Sequence, residues 1–556
     1  MCVKNDKVNL NIIDLTNEGL GVAKKDGKVF FVKDALPLDE VNAVVTKVNK
    51  NIIYARSIEI LNPSPFRVDP RCSISNACGG CQIASLDYNK QLEIKKEFTL
   101  NNLKNIAKQD VRSKYEEIIG MDEPYNFRNK MQVPFSRSEG DITFGFYASR
   151  THHVIPFNTC CAGFTKADIV LFAIKRALIK YNISIYNEES GFGIFREALL
   201  RCGNESKEIS ITYIINDDKV SNSNLDLYRE FDECIRNELN SLNIVTTTLN
   251  INIGKNNVLL GKENISLYGK GYIEDSIGHC KYKISPTSFY QINNKLTKVL
   301  YDKILSYGSF NGSENVLDLF CGIGTISLYI ASKVKSVTGI EIIKDAVENA
   351  KENSLLNNIT NAKFILADVN NNLDEIINIY LNEKKFDCII VDPPRKGLSK
   401  ESINTILKLG PSKIIYVSCD SATLSRDLDI LCDSNNRFRI ERLCNIDMFP
   451  HTTHVETVCL LSQRKPDTTI EVDLDISELE VSSAETKATY EEIKSYVLEK
   501  YGLKVSNLYI AQVKRECGIV ERINYNLPKT EGNRVPQCPE DKRKAIKDAF
   551  VHFQMI

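Results

Sequence analysis

From about residue 290 to 465 the chain alternates short apolar runs with segments of helical length. The runs are VLDLF, SVTGIE, KFILAD, FDCIIVD and KIIYVSC, mostly β-branched. They have no polar alternation, so they must be covered on both sides. Neighbouring parallel strands need a crossover of a dozen or more residues, which the intervening segments supply. The pattern predicts a largely parallel sheet with helices on both faces, an α/β fold of Rossmann-like form. FRIERLCNIDMFP and VETVCLLSQR suggest the last two strands, with an antiparallel sense.

The rest of the chain divides around this block. Residues 1–60 hold short β-type runs (VNLNIIDL, KVFFV, EVNAVVTKV, NIIYARSIEIL) separated by turns such as Asn17-Glu18-Gly19 and Lys25-Asp26-Gly27. That punctuation predicts a small β-barrel. Asn62-Pro63-Ser64-Pro65 ends it. A cysteine-rich turn at 72–81 and a helix reaching about 106 open a central mixed α+β region, 61–285. There ITFGFY, VIPF, KEISITYII and IVTTTLNINI read as strands, and KADIVLFAIKRALIKY has helical periodicity. The sheet domain spans 286–466. Residues 467–485 are acidic without a basic residue and read as a linker. Residues 486–556 form a separate helical module.

No apolar run approaches the roughly 20 residues needed to cross a bilayer. The start, MCVKNDKVNL, lacks a secretory apolar core, which predicts a cytoplasmic protein. The net charge of −1 gives no global sign of a nucleic-acid binder, so any such surface must be local.

Val316-Leu317-Asp318-Leu319-Phe320-Cys321-Gly322-Ile323-Gly324-Thr325 runs from a buried strand into a glycine turn and then a helix. Glycine allows positive φ and lets backbone approach a ligand. C-G-I-G is not the dinucleotide fingerprint G-x-G-x-x-G. Glu341 ends the next strand, where a carboxylate can accept hydrogen bonds from both hydroxyls of a ribose. Together they favour an adenosyl cofactor with no phosphate to bind, against a tight turn beside a surface Glu.

Cys419 ends the run KIIYVSC, at the edge where such sheets hold ligands. Alone it reads as a core thiol. Asp392, in Val391-Asp392-Pro393-Pro394-Arg395, ends another strand. Glu456, in His454-Val455-Glu456-Thr457, opens the last one. A thiol with nearby carboxylates makes a nucleophile–base pair.

The 17 cysteines are odd in number and mostly single within apolar runs, unlike a disulfide framework. Cys72, Cys78, Cys81 and the distant Cys160 are different. Three lie within ten residues, two glycines separate Cys78 from Cys81, and four thiolates suit zinc or an iron–sulfur cluster.

These motifs, with Ser288-Phe289-Tyr290-Gln291-Ile292-Asn293 and His451-Thr452-Thr453-His454-Val455-Glu456-Thr457, match in order and spacing. Over about residues 1–465 the chain resembles the RNA uracil-C5 methyltransferases, the 23S rRNA type with a TRAM domain. The resemblance implies a class I methyltransferase fold using S-adenosylmethionine, with a TRAM/OB-like barrel. It assigns cofactor contacts to Gln291, Phe320, Glu341 and Asp392, with Thr325 and Asp368 as further candidates. It makes Cys419 the nucleophile that adds to uracil C6 and Glu456 the base that removes the C5 proton. It implies a [4Fe-4S] cluster on Cys72, Cys78, Cys81 and Cys160, the adjacent Cys161 being the alternative fourth ligand. Because tRNA members lack the cluster, it implies 23S rRNA as the substrate.

Tyr125-Asn126-Phe127-Arg128-Asn129-Lys130 and FSRSEGDITFGFYASR interleave aromatic and basic residues, as single-stranded RNA grips require, or as the solvated edge of a hairpin. The expected partner is RNA, with no membrane, no DNA and a monomeric state. Three alternatives stand: a tRNA uridine-C5 methyltransferase, a non-catalytic rRNA assembly factor, and a radical methyltransferase. The C-x3-C-x2-C spacing of the last differs from that of Cys72, Cys78 and Cys81.

Overall fold

The computed structural model describes residues 3–138, 140–148, 151–218, 220, 222–254, 260–381, 385–433, 438–463, 488–517, 537–553 and 555. The acidic stretch 467–485, read as a linker, lies outside them. The chain forms two compact units, Met1–Pro466 and Asp467–Ile556.

The first unit opens with a six-stranded sheet in the order Lys7–Asn11, Glu40–Val48, Ile52–Asn62, Lys28–Lys33, Gly21–Lys25, Asp14–Leu15. Its ends curl together. Ile12 N–H donates to Asp39 O at 2.9 Å while the next residue, Ile13, donates to Val22 O at 2.8 Å. Leu10, Ile12, Val32, Val41, Val45 and Ile53 fill the interior, because alternate residues of each short strand point inward. This is the expected small barrel.

A seven-stranded sheet forms the central region, in the order Val154–Pro156, Asp141–Tyr147, Lys130–Ser138, Phe195–Cys202, Ile209–Ile215, Ile244–Ile251, Glu263–Gly269. The helix Ala167–Lys180 covers it with Val170, Leu171, Ile174, Ala177 and Leu178, the stripe its periodicity predicts.

The third sheet runs Ala362–Leu366, Ser336–Glu341, Asn315–Leu319, Cys388–Val391, Lys413–Ser418, Glu456–Gln463, Phe438–Ile446, Tyr115–Ile119. The five predicted runs are its first five strands, all parallel. Only Glu456–Gln463 reverses direction. Phe438–Ile446 runs with the others because the helix Ser421–Leu431 carries the chain back before it begins. The expected antiparallel sense therefore holds for one of the last two strands. The eighth strand, Tyr115–Ile119, comes from far upstream and pairs parallel with Phe438–Ile446.

The second unit holds helices Tyr490–Tyr501, Asn507–Glu516 and Glu540–His552 around Ile493, Val497, Ile510, Val513, Ile546 and Phe550. Thr489 and Glu492 form a reciprocal cap at its start. Among the described residues, no helix is long and apolar enough to cross a membrane.

Candidate active site

The carboxyl ends of the parallel strands gather the predicted residues. After Leu319 the backbone enters the left-handed region at Phe320, Gly322 and Gly324, with φ of 64°, 55° and 80°. A Cβ on Gly324 would stand 2.9 Å from the Phe364 ring, whereas one on Gly322 would meet nothing within 4 Å. Gly324 is therefore demanded by packing, and Gly322 faces open space. Gly322 N–H donates to Glu341 Oε2 at 3.1 Å and Ile343 N–H to Oε1 at 2.9 Å. The Glu341 carboxylate is buried and fixed, and each oxygen keeps a lone pair for a ligand hydroxyl.

The other candidates differ in freedom. Gln291 is buried, and its side chain makes no hydrogen bond among the described residues, while its carbonyl takes the Asn129 amide at 2.8 Å. Phe289, two residues earlier, is 68% exposed. The Thr325 hydroxyl accepts from Tyr301 at 2.7 Å. Both Asp368 oxygens already serve the helix that follows, taking Asn370 N–H at 2.8 Å and the Asn371 amide at 2.6 Å. Asp318, in the middle of the site strand, carries no role that its motif assigns. It is fully buried, and burial pushes its carboxyl up to about 7 despite a bond from Ser327. A charged residue inside VLDLF is the signal that marks it.

Ser418 pairs with Thr457 across antiparallel strands. Cys419 and Glu456 lie one residue beyond this pair, and the charge of Glu456 acts on the Cys419 thiol, so thiol and carboxyl share one edge. Burial pushes the Cys419 thiol up to about 12, with Glu456 and Asp392 adding to it and Arg395 opposing. Glu456 is buried, and its Oε2 has no partner. Burial and the neighbouring Asp392 hold its carboxyl well above the ordinary range, and burial raises Asp392 likewise. Arg395 favours a thiolate, whereas Asp420, which caps the helix Ser421–Leu431 by accepting from Ala422 and Thr423 N–H at 2.9 Å, adds to the rise. The exposed Arg395 also meets His454 Nε2 at 3.4 Å, a contact between motifs that sequence spacing does not reveal.

The segment leading to Glu456 is braced from the helix Tyr88–Asn105. Gln91 Oε1 accepts His451 N–H at 3.0 Å, and the Gln91 amide lies 3.2 Å from His451 Nδ1. Ile83 N–H donates to His451 O at 3.0 Å, and the Tyr125 ring packs 4.8 Å from the imidazole.

Ile83 follows the cysteine-rich turn. Cys72, Cys78, Cys81, Cys160 and Cys161 border a cavity of about 420 Å³ that His451, Tyr125, Arg71 and Arg128 also line. Gly80 N–H donates to Cys78 Sγ at 3.4 Å, and the backbone of Ala162 and Gly163 donates to the Cys160 thiol. Burial pushes Cys81 up to about 12 and raises Cys78 and Cys160. Cys160 adds to the rise at both Cys78 and Cys81. Among the described residues, no group of three or more His, Cys, Asp or Glu is drawn in so as to hold a metal ion.

Residues 204–464 match the model of the tRNA (uracil-5-)-methyltransferase family. An uncharacterised RNA methyltransferase of Bacillus cereus is 38% identical over 465 residues, 83% of this chain and 97% of that protein. One of Clostridium tetani is 38% identical over 459 residues, with the same shares. The crystal structure of Pyrococcus abyssi tRNA (uracil-54, C5)-methyltransferase in complex with S-adenosyl-L-homocysteine superposes with a TM-score of 0.64 at 24% identity. The match covers 82% of this chain and 100% of that one, and it shows a shared fold.

Proposed function

The chain belongs to the RNA uracil-C5 methyltransferase family, and on that premise we propose that it methylates C5 of a uridine in 23S rRNA, as a cytoplasmic monomer. The observation that carries the chemistry is that Cys419 and Glu456 each lie one residue beyond the Ser418–Thr457 pair, close enough for the Glu456 charge to act on the thiol.

S-adenosylmethionine supplies the methyl group, and its sulfonium charge favours a thiolate nearby. Glu341 is oriented to accept the ribose hydroxyls. Gln291 has a free amide, Phe320 an apolar face, and Asp392 borders both cofactor and base. Thr325 and Asp368 line the same edge, each keeping hydrogen-bonding capacity beyond the bonds it already makes. Phe289 offers an exposed ring on which an unstacked base can rest. The Cys419 thiolate adds to C6 of uracil, and the C5–C6 electron pair makes C5 the nucleophile that takes the methyl, the pair of the broken methyl–sulfur bond leaving with S-adenosylhomocysteine. The Glu456 carboxylate then accepts the C5 proton. The electrons of that C–H bond restore C5=C6 and release the thiolate.

The cysteine cavity supports rRNA over tRNA. Backbone N–H groups aimed at Cys78 and Cys160, with thiols that burial keeps neutral in the absence of a cation, suit an iron–sulfur cluster held by Cys72, Cys78, Cys81 and Cys160. When bound, the group supplies a rigid cross-link between the turn 72–81 and the segment at 160. The TRAM-like barrel and the 125–130 segment complete the RNA-facing surface.

The test uses transcripts of 23S rRNA and of tRNA made with 5-fluorouridine, incubated with labelled cofactor. Fluorine at C5 cannot be removed by Glu456, so a labelled covalent complex accumulates. A complex with 23S rRNA alone supports the proposal, and one with tRNA alone moves the substrate. No complex with either, or one undiminished in Cys419→Ala, overturns the mechanism.

A further inference from the structure

A second cavity, of about 480 Å³, lies under the segment Asn126–Asn129 and shares Arg128 with the cysteine cavity. Arg128, Lys166, Lys207 and Lys295 line it, and none of its lining residues is acidic. None of the four forms an ion pair among the described residues; Lys207 donates to Asn204 O, and Arg128 lies 5.7 Å from the Phe127 ring centre. Four unpaired cations around one cavity repel each other and attract a polyanion. In a chain of net charge −1 this is a local concentration, not an average property.

The lining narrows the ligand further. Phe127 and Phe164 give the cavity an apolar wall beside its cations. Inorganic phosphate or sulfate meets the charge alone. A nucleotide meets both, a phosphate for the cations and a base for the rings, and the volume suits one such residue.

We propose that this cavity is a second nucleotide subsite, holding one unstacked nucleotide of the substrate RNA away from the uridine being methylated. It rests on the reading that the substrate is RNA. Asn129 also connects the cavity to the cofactor side, because its N–H donates to Ile292 O at 2.9 Å and its amide to Gln291 O.

The test uses the full chain and transcripts of 23S rRNA and tRNA, in two measurements. In the first, the double variant Lys166→Ala/Lys295→Ala is compared with wild type. About a 10-fold rise in KM for RNA is expected, with kcat and the Kd for S-adenosylhomocysteine unchanged. The slope of log affinity against log salt should fall by about 1.4, two single-strand phosphate contacts at roughly 0.7 each. In the second, wild type is cross-linked to transcripts carrying 4-thiouridine, and a cross-link within 126–129 or 164–166 is expected. Unchanged KM and salt slope, or cross-links that avoid both segments while methylation proceeds, overturn the subsite alone. Wild type that binds neither transcript overturns the subsite and the RNA reading together.

Discussion

Lys95 donates to Asp447 at 2.5 Å with both side chains fully buried. Lys95 also reaches Phe449 O at 3.0 Å, and Asp447 takes the Tyr88 hydroxyl at 2.8 Å. The pair ties the helix Tyr88–Asn105 to the residues just ahead of the His451–Glu456 segment. Removing one partner leaves a buried charge uncompensated, which costs about 3–5 kcal/mol. Lys95→Met should lower the thermal midpoint sharply, and adding Asp447→Asn should recover part of the loss. A single variant with the wild-type midpoint would show that the pair supports nothing.

The two glycines of the turn should separate packing from binding. At Gly324 a methyl meets Phe364 at 2.9 Å and Ala350 at 3.2 Å in a left-handed backbone. Gly324→Ala should cost about 2–4 kcal/mol of stability. Gly322→Ala has open space around it and should cost about 1 kcal/mol, from φ alone. It should nonetheless weaken S-adenosylhomocysteine binding at least about tenfold, because the cofactor would occupy that space. Calorimetry and thermal melts on both variants decide it.

Much of the catalytic sheet is legible in sequence because buried parallel strands are written as unbroken apolar runs. FREALLRC is not, although Phe195–Cys202 is a strand with seven of its eight residues buried. Glu, Ala, Leu and Arg favour helix, and burial on both faces erases the alternation that would have marked a strand. YEEII is acidic and pairs with a strand more than 300 residues away, so nothing local announces it. Cys419 and Glu456 were recognisable as residue types at strand ends. Their adjacency is a matter of register between two strands, which spacing along one chain does not encode. Asp368 stands at the strand end that its place in the sequence predicts, and each of its oxygens takes one bond from the helix that follows.

Glu456→Gln should leave thiol addition and methyl transfer possible while removing the acceptor for the C5 proton. Turnover should fall roughly 10²–10⁴-fold. A methylated RNA–protein adduct should appear on denaturing gels without any fluorinated base. Turnover within a few-fold of wild type would give the proton to another group.

The rate should climb with pH. Burial raises both the Cys419 thiol, to about 12, and the Glu456 carboxyl, and each must be deprotonated to act. Log kcat/KM is expected to increase from pH 6 to 9 with Cys419 and Glu456 intact. A flat profile, with chemistry shown to be rate-limiting, would argue against a thiolate.

Asp318 gives a stability effect of opposite sense. Its folded pKa of about 7 lies above the unfolded value of about 3.9. Below pH 4 both states hold the proton. Between 4 and 7 the folded state keeps it while the unfolded state loses it, so stability falls as pH rises. Without cofactor, Asp318→Asn should therefore gain on wild type by roughly 1–3 kcal/mol between pH 4.5 and 7.5. Parallel melting curves at the two pH values would expose an unchanged difference.

The edge strand Tyr115–Ile119 is synthesised long before its partner Phe438–Ile446. At ribosomal speeds of about 5–20 residues per second, that interval is on the order of tens of seconds. Throughout it, the central sheet and the first parallel strands emerge while one unpaired strand waits to be claimed. Completion of the catalytic sheet is thus a late event in the life of each nascent chain, and a stalled ribosome would display that strand to chaperones or to a neighbouring copy.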